Sequence, residues 1–401
     1  MEAKKQIIRI LVSNTQIKNY FQTIPRDIIE LIFDYPYNEL YIFPKNKLHN
    51  CVDEIINVDS VHPIEFFKQM KITKFSCSDN HVAVIANGDL YTFGKGSNGI
   101  LGHGNNNDIE IPKKVEFFMG LGEITDICCS QYHTAVVCNG KLYTFGLNMD
   151  GRLGIDAHNM NLIINIPTLV DGLENVTKIS CGSGHFAIIA DKKLYMYGQG
   201  TYGQLGCKHI YKHIKFKPVW IEALKNVTDV SCNKMHTAVL ADGILYTFGS
   251  AYYGQLGHTQ AEGYPIGQIR ILKIPVKVDF FDTFKDPINA ISCGADHSAV
   301  LIDKKVYIFG RGSEGQLGQN TCISDRSGDL KIPTIIPSLN NIDKISCGWH
   351  NTTIVDNNSL FICGSIWNSC RYNKPTPIKD FFNGKIVELD CRYDTLGLLV
   401  Q

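Results

Sequence analysis

The 401-residue sequence predicts an all-β chain built as a seven-bladed β-propeller, and three observations carry that prediction. A strand-like segment holding Cys recurs seven times, at Cys77, Cys129, Cys181, Cys232, Cys293, Cys347 and Cys391, spaced 52, 52, 51, 61, 54 and 44 residues apart. A second segment, close to Leu-Tyr-x-Phe-Gly, begins at Leu40, Leu90, Leu142, Leu194, Leu245, Val306 and Leu360 and keeps the same period. Two motifs on one period mean one structural unit copied seven times. The strands are also apolar on both faces, with Leu90 and Thr92 pointing one way and Tyr91 and Phe93 the other. Strands of that kind belong to small sheets stacked between neighbouring sheets around an axis.

Residues 175–206 illustrate one unit. Val176 to Cys181 alternates and reads as the first strand; Gly182-Ser-Gly184 breaks it, and His185 to Ile189 starts the second. Asp191-Lys-Lys193 is a hairpin turn into Leu194-Tyr-Met-Tyr-Gly198, the third strand. A glycine-rich loop ending Gly203-Gln-Leu-Gly206 leads through a variable segment to Pro218 and Val219, where a fourth strand is expected. Cys, Ser and Gly occupy the first strand, as expected where inner strands converge on an axis and space is short. The last Cys strand is followed only by Leu396 to Val400, whereas Leu40-Tyr-Ile-Phe-Pro44 has no Cys strand before it. The C-terminal two strands are therefore expected to pair with the N-terminal strands and complete a composite seventh blade.

Lysine plus arginine number 39, as do aspartate plus glutamate, so no general field draws the chain to nucleic acid or an anionic membrane. No apolar run approaches the roughly 20 residues of a membrane helix, and Met1 to Val12 is too short a stretch for a signal peptide. The expectation is an intracellular monomer, cytoplasmic or nuclear, with the repeat cysteines buried and reduced.

The unit Ser-Cys-Gly-x-x-His, then Leu-Tyr-x-Phe-Gly, then Gly-Gln-Leu-Gly resembles the repeat of the regulator of chromosome condensation family, RCC1. The matching residues include Cys181-Gly182 with His185, Cys293-Gly294 with His297, and the glycine loops 203–206, 254–257 and 315–318. Asn98 to Gly102 and Asp150 to Gly154 are looser copies. The sixth unit has Asn351 at the His position and Cys363 inside the third-strand motif; the seventh has Thr395 for His and Pro44 for Gly. The resemblance implies a seven-bladed propeller over residues 38–401, preceded by an extension over residues 1–37.

Five Cys-x-x-x-His pairs (Cys77/His81, Cys129/His133, Cys181/His185, Cys232/His236, Cys293/His297) invite a zinc reading. A structural zinc site needs four converging ligands, and one pair per blade spreads them around a ring. The favoured reading is Cys in a tight inner position and His hydrogen-bonded to backbone across the strand break, with no metal and no cofactor. Cys293, Asp296, His297 and Ser298 are ordinary repeat positions rather than a nucleophilic set, because neighbours in sequence are rarely partners in a triad. The glycine-rich Gly94 to Gly99 has no helix behind it to cradle phosphate. No catalytic constellation is found.

The longest unit carries its excess in His258 to Lys273, where Tyr264, Pro265, Ile266 and Arg270 form a candidate partner-binding loop. A longer outer strand is the competing reading, and Gln319 to Leu330 reads as a polar connector. In the N-terminal extension, Thr23 to Phe33 has an N-cap, Pro25 in the first turn and Ile24, Ile28, Leu31 and Ile32 at helical spacing. It resembles the opening helix of an F-box, which docks on a Skp1-like adaptor; a helix packed on the propeller is the alternative.

Three function classes follow. The first, and the one preferred, is a non-enzymatic scaffold that binds a protein partner. The resemblance also implies a guanine-nucleotide exchange factor for a Ran-like small GTPase, or a histone-binding protein, although no exchange residue matches and no basic N-terminal tail is present. The third is a substrate receptor of a ubiquitin ligase acting through residues 23–33. A light receptor of this fold would need clustered tryptophans, and only Trp220, Trp349 and Trp367 exist.

Overall fold

Each repeat folds as an antiparallel meander because its short strands are joined by turns suited to tight reversal. The second and third strands meet at Asn87-Gly88, Asn139-Gly140, Asp191-Lys192, Asp242-Gly243, Asp303-Lys304 and Asn357-Asn358, all with positive φ. That is the type I′ geometry whose twist matches paired strands, and Asn, Asp and Gly adopt it at least cost. The computed structural model describes residues 38–43, 51–52, 55–56, 63–155, 162–208, 214–258, 270–320, 328–366, 370–378, 382, 384–393 and 395–401. The expected helix at 23–33, with Ile24, Pro25, Ile28, Leu31 and Ile32, lies outside these residues, which contain no α-helix.

The third blade consists of Val176–Cys181, His185–Ala190, Lys193–Gln199 and Ile214–Trp220, hydrogen-bonded in that order. The same four-stranded order makes blade 1 (residues 72–114), blade 2 (124–169), blade 4 (227–277), blade 5 (288–335) and blade 6 (342–377). The expected fourth strand is thus present in six blades. Each of those outer strands carries proline, at Pro112, Pro167, Pro218, Pro275, Pro333 and Pro375. Proline lacks the N–H that an approaching edge would need, so it suits the rim and discourages edge-to-edge association.

The seventh blade is the composite one. Ile386–Arg392 pairs with Thr395–Val400, and Thr395–Val400 pairs in turn with Glu39–Phe43, from Glu39 opposite Val400 to Phe43 opposite Leu396. A hairpin of Cys51–Val52 and Ile55–Ile56 lies against the outer strand of blade 6.

The hydrophobic core lies between blades rather than within any one of them. Ile189, Leu194 and Met196 of blade 3 pack with Val227, Val230, Val239 and Phe248 of blade 4, and every other joint repeats the arrangement. The glycine-rich loop reaches across the same joint. Gly206 has φ +65°, and a Cβ there would stand 2.9 Å from the Phe248 ring of the next blade. Only glycine fits both demands.

The inner strands touch in a closed circle around the axis, and a ring of hydrogen bonds joins them. The Cys N–H of each blade donates to the side chain just before the Cys of the preceding blade. Cys129 donates to Ser76 Oγ (3.1 Å), Cys232 to Ser180, Cys293 to Ser231, Cys347 to Ser292 and Cys391 to Ser346, the last four at 2.9 Å. Cys181 N–H meets Cys128 Sγ at 3.1 Å, and Cys77 N–H closes the circle on Asp390 Oδ2 at 2.9 Å. Three residues before the Cys on the same strands, opposite charges face each other between blades: Lys74 pairs with Asp126 and Lys178 with Asp229, both at 2.5 Å.

Two residues of blade 7 span the axis. Arg392 donates through a terminal guanidinium nitrogen to the Cys181 carbonyl of blade 3 at 2.9 Å, and Tyr393 Oη lies 3.0 Å from Ser130 Oγ of blade 2.

The expectation of reduced repeat cysteines needs one correction. Cys181 is joined to Cys128 by a disulfide between blades 2 and 3, with their Cα atoms 6.3 Å apart. Cys128 occupies the position that is Ser in its neighbours, which brings a second sulfur against the repeat thiol. Cys77, Cys129, Cys232, Cys293 and Cys347 are free thiols, and they and Cys391 are buried.

Two outcomes test this architecture. Ser231→Ala leaves the buried Cys293 N–H without an acceptor, so urea denaturation should show a loss of about 1–3 kcal/mol. Deleting Thr395 to Gln401 should abolish the single cooperative thermal transition and yield an aggregating chain, because the open ring exposes two inner edges.

Candidate partner-binding face

The turns after the first strands and the glycine-rich loops gather at one end of the propeller, and the repeat histidines sit beneath them. Their rings do not bond backbone across the strand break, as the sequence reading expected. The backbone carbonyl of each His does that: His185 accepts from Gly182 N–H at 2.9 Å and His297 from Gly294 N–H at 2.8 Å. The ring turns instead to a hydroxyl of the next blade. His81 Nε2 lies 2.6 Å from Thr134 Oγ1, His185 3.0 Å from Thr237, His236 2.8 Å from Ser298 and His297 2.9 Å from Thr352.

Each hydroxyl donates its one proton to a glycine-loop carbonyl: Thr134 to Ile100, Thr237 to Gln204, Ser298 to Gln255 and Thr352 to Gln316. It can therefore only accept from the imidazole, which fixes the Nε2–H tautomer. Burial lowers the pKa of these rings to about 3 for His81, His185 and His297 and about 4 for His236. They are neutral, and the nitrogen that carries the proton is occupied. Burial raises the thiols as well, to about 12 at Cys129, Cys232 and Cys347. Among the described residues, no three His, Cys, Asp or Glu side chains converge as a metal site would need. The Cys293 thiol donates to the Ser231 carbonyl at 3.2 Å and the Ser298 hydroxyl to the Gln255 carbonyl at 2.8 Å, so both are bonded into the joint.

His133 is the exception, since blade 3 presents Phe186 where the others have a hydroxyl. The two rings stand 5.2 Å apart, and neither nitrogen of His133 has a hydrogen-bond partner.

The outer layer of this face is aromatic and cationic. Arg270 lies over Tyr252 (5.8 Å), Arg311 over Tyr253 (5.1 Å) and Lys234 over Trp349 (6.0 Å), while the buried Arg152 lies over Tyr132 (5.6 Å). Trp349 packs on Tyr393 with ring centroids 5.1 Å apart. Asp296, almost wholly buried, faces both Lys234 Nζ at 3.5 Å and an Arg311 guanidinium nitrogen at 3.6 Å. Of the insertion residues singled out from the sequence, Tyr264, Pro265 and Ile266 lie outside the described residues. Arg270 is exposed at the start of the blade 4 outer strand, Ile271–Lys277, and its carbonyl accepts from Ala251 N–H at 2.9 Å. Ile271 to Lys273 of that segment thus belong to the outer strand, which is seven residues long as in blades 2 and 3. Lys234, Tyr252, Tyr253, Asp296, Arg311 and Trp349 were not singled out as partner residues, because they flank the repeat motif without belonging to it.

Residues 110–395 match the family model described as the RCC1-like domain. The chain belongs to the RCC1-like domain family. It is 32% identical over 284 residues to the ultraviolet-B receptor of Arabidopsis thaliana, covering 69% of this chain and 60% of that one. It is 29% identical over 300 residues to the E3 ubiquitin-protein ligase HERC2 of Homo sapiens, covering 70% of this chain and 6% of that one. The chain thus spans less than two thirds of either relative. Among solved structures, Prp20p of Saccharomyces cerevisiae, studied with its binding to Gsp1p and histones, superposes with a TM-score of 0.76. That match has 18% identity and covers 92% of each chain, so it bears on fold alone. Human WBSCR16 gives 0.73 at 18% identity, covering 91% of this chain and 99% of that one. The RCC1-like propeller here has Trp349 on the loop face and Trp220 on an outer strand, so no tryptophan cluster forms among the described residues.

The histidine relay gives a signed pH dependence. Folded-state pKa values near 3–4 lie below the unfolded value of about 6.5. The unfolded chain therefore binds more protons below pH 6.5, and stability is full above that pH and falls as pH drops toward 4. Urea midpoints should be level from pH 8 to 7 and decline steeply from 6 to 4. Replacing His185 by Asn, the residue that blade 6 carries at Asn351, should make the decline shallower.

Proposed function

We propose that this RCC1-like propeller, over residues 38–401, is a non-enzymatic scaffold that holds a protein partner on its loop face. One observation carries the reading. The polar groups that repeat around the ring, Cys N–H, His Nε2 and the Thr and Ser hydroxyls, are almost all bonded between blades. The chemistry-bearing residues are thus committed to the scaffold, while aromatic and cationic side chains remain at its surface. Tyr, Trp and Arg are the residues favoured at interface hot spots. The partner is a protein, with a Ran-like small GTPase, histones or a Skp1-like adaptor as the identities to be tested; the compartment that fits is cytoplasmic or nuclear. Residues 1–37 are an extension whose role would be docking, through Ile24, Pro25, Ile28, Leu31 and Ile32, or capping of the ring. No helix among the described residues is long and apolar enough to cross a membrane.

Guanine-nucleotide exchange is the reading to set against this one. A Ran-type GTPase loaded with a fluorescent GDP analogue should release it at the same rate with or without the propeller. Accelerated release would replace the scaffold reading with an exchange factor. Once a partner is in hand, Tyr264→Ala with Arg270→Ala should weaken it about tenfold in calorimetry if the insertion is part of the contact. Unchanged affinity would remove the insertion.

A further inference from the structure

The sector between blades 4 and 6 is built differently from the rest of the loop face. Lys234 of blade 4 and Arg311 of blade 5 both turn toward one carboxylate, Asp296. Neither reaches it closely, since Asp296 Oδ2 is buried and accepts no hydrogen bond. Two cations thus share one negative charge at ion-pair distance. Lys234 is about one third exposed and Arg311 slightly less, so both retain open donors toward solvent. Arg311 is braced by Nε donating to Ser313 Oγ at 2.8 Å and by the Tyr253 ring beneath it. Lys234 lies over Trp349, which is itself backed by Tyr393.

Cations held over aromatic faces, partly desolvated and short of counter-charge, favour an incoming oxyanion. The flanking Trp349, Tyr253 and Tyr252 rings supply flat apolar area on both sides, which suits a peptide rather than a small ion. Arg270 extends the same sign outward from Tyr252. The chain as a whole is electrically neutral, so the surplus is local.

We infer that this sector is a docking site for an acidic protein segment, one carboxylate of which bridges Lys234 and Arg311 above Asp296 while its neighbours lie on Trp349 and Tyr253. The inference rests on the scaffold reading and adds the partner's chemistry and the residues that read it.

The test uses the full chain carrying Trp220→Phe and Trp367→Phe, so that Trp349 is the sole reporter. It is titrated with end-capped hexaglutamate, hexalysine and inorganic phosphate at low and high salt. Hexaglutamate should give a saturable change in Trp349 emission that weakens with salt, while hexalysine gives none. Lys234→Ala with Arg311→Ala should weaken binding about tenfold or more. Asp296→Asn should tighten it about tenfold, because it frees both cations from their shared carboxylate. A structural role for Asp296 predicts the opposite, and the cooperative melt of each variant shows whether it has folded. No saturable response to hexaglutamate, an equal response to hexalysine, or displacement of hexaglutamate by phosphate at comparable concentration would each overturn the docking site. A failure here, with no acceleration of nucleotide release, leaves the scaffold reading standing on another part of its surface.

Discussion

The circle of hydrogen bonds from each Cys N–H to the side chain before the Cys of the neighbouring blade is the constraint that organises this molecule. Near the axis the inner strands crowd together, and a backbone donor there has no room for water. Its acceptor must come from the next sheet. That need accounts for serine before the repeat cysteine in most units, and for the small size of the cysteine itself. It also fixes the angular step between blades, because each sheet is held by a short bond at one defined height. The histidine relay and the glycine loop then act at the same joint, farther out. Every residue that makes the repeat recognisable is therefore defined by the blade next door.

The joint between blades 2 and 3 shows what happens when that logic is altered. Cys128 stands for serine, Phe186 for the hydroxyl that would receive His133, Arg152 for the loop glutamine and Tyr197 for the aromatic Phe. The polar relay is gone, and Phe186 stacks on Tyr197 with planes 6° apart. The same joint carries the Cys128–Cys181 disulfide. The histidine relay alone is lost there, since Ile179 N–H still donates to Asp126 and Ser130 to the Gly182 carbonyl, and the disulfide is added to those bonds.

Most of the architecture was legible in the sequence. Period, strand alternation and turn residues are local signals, and the orphan Leu40 to Phe43 motif announced the composite blade. What was hidden shares one property: it joins residues in different repeats. The partner of His185 is Thr237, an ordinary strand residue until its neighbour is placed beside it. Cys128 lay one step off the period and so escaped notice, although it is the residue bonded to Cys181. The loop-face cluster was missed for the same reason. Lys234, Asp296 and Trp349 occupy variable positions of three successive repeats, and only the ring brings them together. Sequence length drew attention to the insertion instead, of which Arg270 alone among the four named residues is placed.

The crossing of the axis by Arg392 and Tyr393 bears on how the chain is made. Ribosomal synthesis delivers blade 1 first, and by the time blade 6 emerges the structure still lacks both its closing strands and the two side chains that reach blades 2 and 3. Until then the nascent chain is an open arc whose first inner strand lacks its blade 7 neighbour and whose Glu39–Phe43 strand has no partner. The groups that wait through that interval for Tyr393 and Arg392 are Ser130 and the Cys181 carbonyl. Ring closure therefore follows the synthesis of Ile386–Arg392 and Thr395–Val400, after all six four-stranded blades have been made.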